Sequence, residues 1–194
     1  MSEKTWVEGL SRLLEQGCQH CSGATATVRV ASHQRLAYGH ETQSYGVGSP
    51  ETETSVYETD LLVTDHQTDN NSWTPRVVIE GKLGSVTTHD ALTYSAKAAT
   101  HKNVHPYLRY GLLIGSWGDS PLPARVFRHG VHFDFIAVWS GEDPTTREWE
   151  VLTQIVTTEI KVSRQIQEFL RDSRRKHRAR YSVVHREMRF FDSP

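Results

Sequence analysis

Two short apolar segments carry the charges that most constrain this chain. Val56–Thr64 reads VYETDLLVT and Arg76–Leu83 reads RVVIEGKL. Both have strand length and β-branched character, so they are expected to be two buried strands joined by the loop 65–73. Asp60 lies inside the first, and Glu80 and Lys82 lie inside the second. An apolar core does not accept a carboxylate without a charge partner, because burial of an uncompensated ion is costly. Side chains two apart on a strand share a face, so Glu80 and Lys82 lie together with Gly81 opposite, and Glu58 shares the face of Asp60. Pairing of the two strands therefore brings Asp60, Glu80 and Lys82 to one place.

The flanking pattern alternates between helix and strand. Trp6, Leu10, Leu13 and Leu14 predict an amphipathic helix over 4–16 closed by Gly17, and Ala24–Ala31 predicts a strand. The polar stretch Tyr38–Glu53, with Gly39, Gly46, Gly48 and Pro50, reads as hairpin and loop. Thr87 and Asp90 form a capping-box pattern that opens a helix running to about Val104, before Pro106. Strands are expected over Tyr107–Trp117 and His132–Trp139, separated by a Gly/Pro loop with Arg125, Arg128 and His129. A second capping box, Thr145 with Glu148, opens a long helix marked by Trp149, Leu152, Ile155, Val156, Ile160, Ile166, Phe169 and Leu170. The expected class is α/β, a mixed sheet flanked by helices on both faces. The 194 residues suit a single domain over 1–194, with a core of about 4–140 and a long helix and basic tail over 145–194.

No apolar run approaches the roughly 18–20 residues of a membrane span, so no membrane role is expected and the cytoplasm is the expected location. Cys18 and Cys21 are too few for a disulfide framework and read as reduced thiols. The net charge of -1 conceals a split: residues 1–160 hold 12 Lys/Arg against 19 Asp/Glu, while 161–189 hold 10 against 3. A basic element on an acidic body suits a polyanionic partner.

Two carboxylates held close repel unless a cation lies between them, and hard oxygen ligands favour magnesium, with manganese as a substitute. Asp60, Glu80 and the backbone carbonyl of Gly81 are the expected ligands. The ammonium of Lys82 beside them can orient water and stabilise charge on a phosphoryl oxygen. The pattern suits phosphodiester hydrolysis. Glu159-Ile160-Lys161 repeats the acid-x-lysine spacing, but on a helix, where positions two apart diverge.

YETDLLV over 57–63 followed by VVIEGK over 77–82 resembles the PD-(D/E)xK nuclease superfamily, whose largest class is the type II restriction endonucleases. The resemblance implies a helix, three strands, a helix and a strand over about residues 4–116, with Asp60 and Glu80 as metal ligands and Lys82 as the catalytic lysine. Thr59 stands where the motif's name has proline. Some members add a glutamate from the first helix, a place Glu8 or Glu15 can fill. The expectation is a magnesium-dependent enzyme cutting double-stranded DNA, with calcium binding but not supporting turnover. Alternatives are a repair or recombination nuclease that recognises DNA structure, and a DNA-binding module that kept the fold without the chemistry.

For DNA contact, Arg174, Arg175, Lys176, Arg178 and Arg180 are expected at phosphates. Arg125, Arg128, His129, Asn70 and Asn71 are expected near base edges. His101 and His105 read as surface histidines near the DNA; His89 and Lys97, on the helix after the lysine strand, lie near enough to the site for a supporting role, with ordinary exposure the favoured reading. A palindromic duplex target implies a homodimer, with the long helix as its contact surface.

Overall fold

A computed structural model describes residues 1–172; Arg174, Arg175, Lys176, Arg178 and Arg180 lie outside the described residues. The elements are α1 (Glu3–Cys18), a 3-10 turn (Gln19–Cys21), β1 (Ala26–Ser44), β2 (Glu51–Gln67), β3 (Trp73–Leu83), α2 (Thr88–Val104), β4 (Arg109–Gly115), α3 (Ala124–His129), β5 (Phe135–Val138) and α4 (Thr146–Arg171). The strands lie in sequence order in one five-stranded sheet. β1 and β2 pair antiparallel, as do β2 and β3, whereas β3, β4 and β5 run parallel. The chain is an α/β fold, a mixed sheet with helices packed against it. Parallel neighbours need a crossover, and α2 supplies it between β3 and β4.

Both faces of the sheet are covered, which explains the unbroken apolar runs in β3 and β4. Leu61, Val63, Val77, Ile79 and Leu113 pack with Trp6, Val7, Leu10 and Leu14 of α1 and Leu152, Val156 and Ile160 of α4. The alternate residues Leu62, Val78, Tyr110, Leu112 and Ile114 pack with Ala91 and Ala98 of α2 and Val126 of α3. Both expected capping boxes are present, Thr87 with Asp90 and Thr145 with Glu148. Among the described residues no helix is long and apolar enough to cross a membrane.

Several expectations are corrected. Gly17 does not close α1, which runs on to Cys18; a Cβ on Gly17 would lie 3.0 Å from the Thr153 side chain, so it serves the close approach of α4. The hairpin expected over Tyr38–Glu53 is present, but with longer strands and a shorter loop than its glycines suggest: β1 and β2 stay paired to Ser44 opposite Glu51, as a two-stranded ribbon projecting beyond β3. Threonine, valine and tyrosine favour the strand despite their polar neighbours, and Tyr38 stacks on Tyr57 at 3.7 Å. The expected loop with Arg125, Arg128 and His129 contains the short helix α3, because Val126 is buried against the α2 face. The apolar residues of α4 chiefly face the chain's own sheet, with Ile160 fully buried and Trp149 packed against the same core. Their spread over more than one stripe therefore reflects the breadth of that contact.

Where β2 meets β3, Val63 faces Val77 and Thr64 faces Pro75, which leaves Arg76 as an extra, bulged residue. Its guanidinium donates to Asp65 at 2.7 Å, and Arg164 of α4 donates to both oxygens of the same carboxylate at 2.9 and 2.7 Å. Burial pushes the Asp65 carboxyl up, but the two guanidiniums outweigh it and hold the group below the usual carboxylate value. The stability it contributes is present above the unfolded value near 3.8 and is lost as pH falls through the lower folded value. Asp65→Ala should cost about 3–5 kcal/mol at pH 7, because it leaves Arg76 buried without its partner. Urea denaturation of the variant at pH 7 checks this; a midpoint equal to that of the wild type would remove the cluster from the stability account.

Candidate active site

The ladder between β2 and β3 ends with Leu61 opposite Ile79. One step further along the same register stand Asp60 and Glu80. Both share the parity of Leu62 and Val78, so both face α2, as does Lys82. Gly81 faces the other way, where a Cβ would lie 3.0 Å from Val7 and 3.2 Å from Trp6. Glycine thus lets α1 press against the back of the strand that carries the site. The Gly81 amide donates to Asp60 Oδ2 at 2.8 Å, which ties the two acid-bearing strands together.

Glu80 is 1% exposed. The Tyr110 hydroxyl of β4 donates to its Oε1, and the Lys97 ammonium of α2 lies 3.0 Å from Oε1 and 3.1 Å from Oε2. Burial raises the Glu80 carboxyl to about 7; Lys97 lowers it, Asp60 raises it again, and Tyr110 pulls it down. Tyr110 is itself pushed well above its ordinary value by burial and by the Glu80 charge. Burial also raises Tyr94, with Asp60, Glu80, Glu3 and Asp90 adding to the effect. Four carboxylates therefore act on this face of α2.

Lys82 shares the face but does not touch Glu80 through an ion pair. Its ammonium lies between Glu3 of α1 at 3.7 Å and Asp90 of α2 at 3.8 Å. Glu3 also accepts from the Leu83 amide at 3.2 Å. The first-helix glutamate beside the site is therefore Glu3. Glu15 accepts from the Val30 amide at 2.8 Å and pairs with Arg29, a structural role, and Glu8 is exposed. Glu58 is exposed and pairs with His33 at 3.2 Å. His33 has φ 54, in the left-handed region, and faces the Asp60 position across the ribbon.

The expectation that Lys97 is ordinarily exposed is overturned, since its side chain is 20% exposed and paired with Glu80. A signal for it was present. Asp90, Tyr94, Lys97 and His101 recur at helical spacing, so the Thr87 capping box sets the phase that turns all four toward the site. His101 is likewise no surface residue. It is fully buried, bonded through Nδ1 to the Ala37 carbonyl at 3.1 Å, and burial lowers it to about 4.

Of the expected base-reading residues, Arg125 is tied to the segment that follows β3. Its Nε donates to the carbonyl of Val86, between β3 and α2, at 3.0 Å. Arg128 is exposed and His129 is half-buried on the same short helix. Asn70 and Asn71 lie in the β2–β3 turn, where Asn70 accepts from the amide and hydroxyl of Ser72 and Asn71 has φ 56. That turn is at the opposite end of β3 from Glu80, about 25–30 Å along the strand. The structure does not bring these amides to the carboxylates.

Among the described residues no three or more His, Cys, Asp and Glu side chains gather into a metal-binding group. The donor set is two carboxylates, Asp60 and Glu80, with the Gly81 carbonyl on the strand between Glu80 and Lys82. All are hard oxygens, and Glu80 is held upward by burial and Asp60, so a small divalent cation fits. The chain matches no model of a known protein family and no curated protein.

A raised carboxyl contributes stability that is fully present below its unfolded value of 4.5 and is lost as pH rises through about 7. In metal-free buffer the wild type should lose on the order of 2–3 kcal/mol relative to Glu80→Gln between pH 4.5 and 8. His101 acts in the opposite direction, losing stability as pH falls from 6.5 toward 4, but it is common to both proteins and cancels in the difference. Denaturation curves at a series of pH values measure it, and a difference that does not vary with pH would remove the charge stored at Glu80.

Proposed function

We propose that this chain is a magnesium-dependent endonuclease that hydrolyses phosphodiester bonds of double-stranded DNA, acting as a type II site-specific deoxyribonuclease. One observation carries the reading: Asp60 and Glu80 stand side by side on one face of a mixed sheet, with Lys82 on that same face. The order of α1, three antiparallel strands, α2 and the parallel strand β4 supports the resemblance to the PD-(D/E)xK nucleases.

Asp60, Glu80 and the Gly81 carbonyl would hold the ion. When bound, it would supply charge neutralisation of the scissile phosphate and a more acidic water. The protein supplies the rest. The Gly81 amide fixes the Asp60 carboxylate, and Tyr110 fixes one oxygen of Glu80, so neither acid has to reorganise during reaction. Glu3 and Asp90 hold the Lys82 ammonium at the rim, where it can meet charge growing on a phosphoryl oxygen. Arg125, Arg128 and His129 on α3 supply side chains for base edges. The basic run Arg174 to Arg180 supplies phosphate contacts.

Asp60→Ala, Glu80→Ala and Lys82→Ala should each lower the cleavage rate by about a hundred- to a thousandfold or more while leaving the protein folded. Plasmid cleavage with magnesium or manganese, alongside circular dichroism, measures this; wild-type cleavage by Lys82→Ala would reject its assignment. Calcium should support DNA binding without turnover. Discrete fragments from mixed plasmids identify a restriction enzyme. Structure-dependent nicking identifies a repair or recombination nuclease, and no cleavage identifies a binding module.

One site attacks one strand at a time, so a homodimer is proposed for cutting a symmetric duplex. Mixed assemblies of wild type and Lys82→Ala should nick one strand only, as supercoiled-to-open-circle conversion would reveal. Double-strand cleavage by a monomeric complex would contradict the dimer.

A further inference from the structure

We propose that Lys97 is an exchangeable counter-ion: its ammonium neutralises Glu80 when no metal is bound, and the divalent cation must displace it to bind. The proposal rests on the endonuclease reading and deepens it.

Glu80 is too deeply buried for water to compensate its charge, and its two oxygens have two partners with unlike properties. The Tyr110 hydroxyl is neutral and rooted in the central strand β4. The Lys97 ammonium spans both oxygens, at 3.0 and 3.1 Å, from a flexible side chain that starts on α2. It also donates to the Glu58 carbonyl at 3.2 Å, two residues before Asp60. The ammonium thus lies between the strand that carries Asp60 and the carboxylate of Glu80. A divalent cation ligated by both acids needs the same oxygens and the same space.

Two cations cannot share them. Like charges a few ångströms apart repel strongly in a partly desolvated site, and Glu80 has no third oxygen to offer. Tyr110 donates a hydrogen bond from one side and can stay in place, but Lys97 must withdraw. Its four-carbon stem permits this, since the side chain is partly exposed and the Tyr94 ring lies 5.7 Å from the ammonium as an alternative contact. Once withdrawn, the ammonium lacks an anionic partner, and a phosphate group entering the site supplies one. Metal and phosphodiester should therefore bind each more tightly in the presence of the other, because either one relieves a cost imposed by the other's absence.

The arrangement separates the two lysines of the site. Lys82 is held by Glu3 and Asp90 and has no ion pair with Glu80, so it need not move when the cation enters. Removal of charge at position 97 should tighten metal binding, whereas removal at position 82 should leave it nearly unchanged.

The test is calorimetric titration of the full chain with Mn2+ in the absence of DNA, on the wild type, Lys97→Met, Lys97→Gln and Lys82→Met, with circular dichroism to verify folding. Lys97→Gln retains a hydrogen-bond donor without the charge and serves if the methionine variant does not fold. The expected result is Mn2+ affinity roughly tenfold or more above wild type in either Lys97 variant, with Lys82→Met close to wild type. Loss of Mn2+ binding in Glu80→Gln places the ion at the site. If Glu80→Gln abolishes binding while both Lys97 variants bind like the wild type or more weakly, the exchange is overturned and the metal-dependent reading stands. If Mn2+ binds to none of the proteins, or binds equally to Glu80→Gln, both fall.

Discussion

The site is governed by the repulsion between two carboxylates placed side by side in adjacent strands. Asp60 and Glu80 follow directly from the register that sets Leu61 opposite Ile79. Neither can turn away, because strand alternation commits both to the face under α2. The neighbouring groups answer that constraint. An amide from Gly81 reaches Asp60, a hydroxyl and an ammonium reach Glu80, and Asp90, Tyr94 and Lys97 present a polar stripe on an otherwise alanine-packed helix. Polar groups so concentrated in a covered sheet are poor material for stability alone, which is why a ligand of positive charge is the natural completion.

The same sheet holds a second buried acid under the opposite balance of charge. Further along β2, Asp65 is buried yet held in its charged form, because Arg76 and Arg164 embrace it from two elements. Its carboxyl is held low. Glu80 is raised to about 7 despite Lys97, since burial outweighs one ammonium and Asp60 adds repulsion. Asp65 has charge to spare around it and serves as a structural tie between sheet and α4. Glu80 is left short of positive charge, and a carboxylate in that condition has affinity for a cation. The two acids differ in how completely the fold neutralises each one.

Much of this was legible in the sequence. The apolar runs of β2 and β3 fixed which residues face which layer, and two capping boxes marked the starts of α2 and α4 because reciprocal side-chain bonds leave a local signature. What escaped was set by tertiary contact. The hairpin of β1 and β2 is legible, but not the length of its ladder, because polar residues and glycines obscure a backbone pairing that needs no apolar face. The partners of Lys82 are not legible, because Glu3 and Asp90 come from two helices whose docking no local pattern encodes. Lys97 is legible as a neighbour of the site but not as the partner of Glu80: its spacing from Asp90 and Tyr94 places it on the inward stripe, against lysine's usual exposure. His101, on the same stripe, is buried where a surface residue is expected.

The two lysines show why position on the fold matters more than residue type. Lys82 rises from a strand whose back is clamped by Trp6 and Val7 against Gly81, so its root cannot shift, and two flanking acids fix its tip at the rim. Lys97 rises from α2, packed over the same face, and reaches inward to the buried Glu80 through its long stem. A fixed ammonium at the rim suits charge that appears only during reaction, because preorganisation lowers the cost of responding to it. A flexible ammonium at the buried acid suits charge that is present at rest and that, in the proposed exchange, is surrendered to a metal ion. Exchanging the two side chains' surroundings would lose both properties, even though the composition of the site would be unchanged.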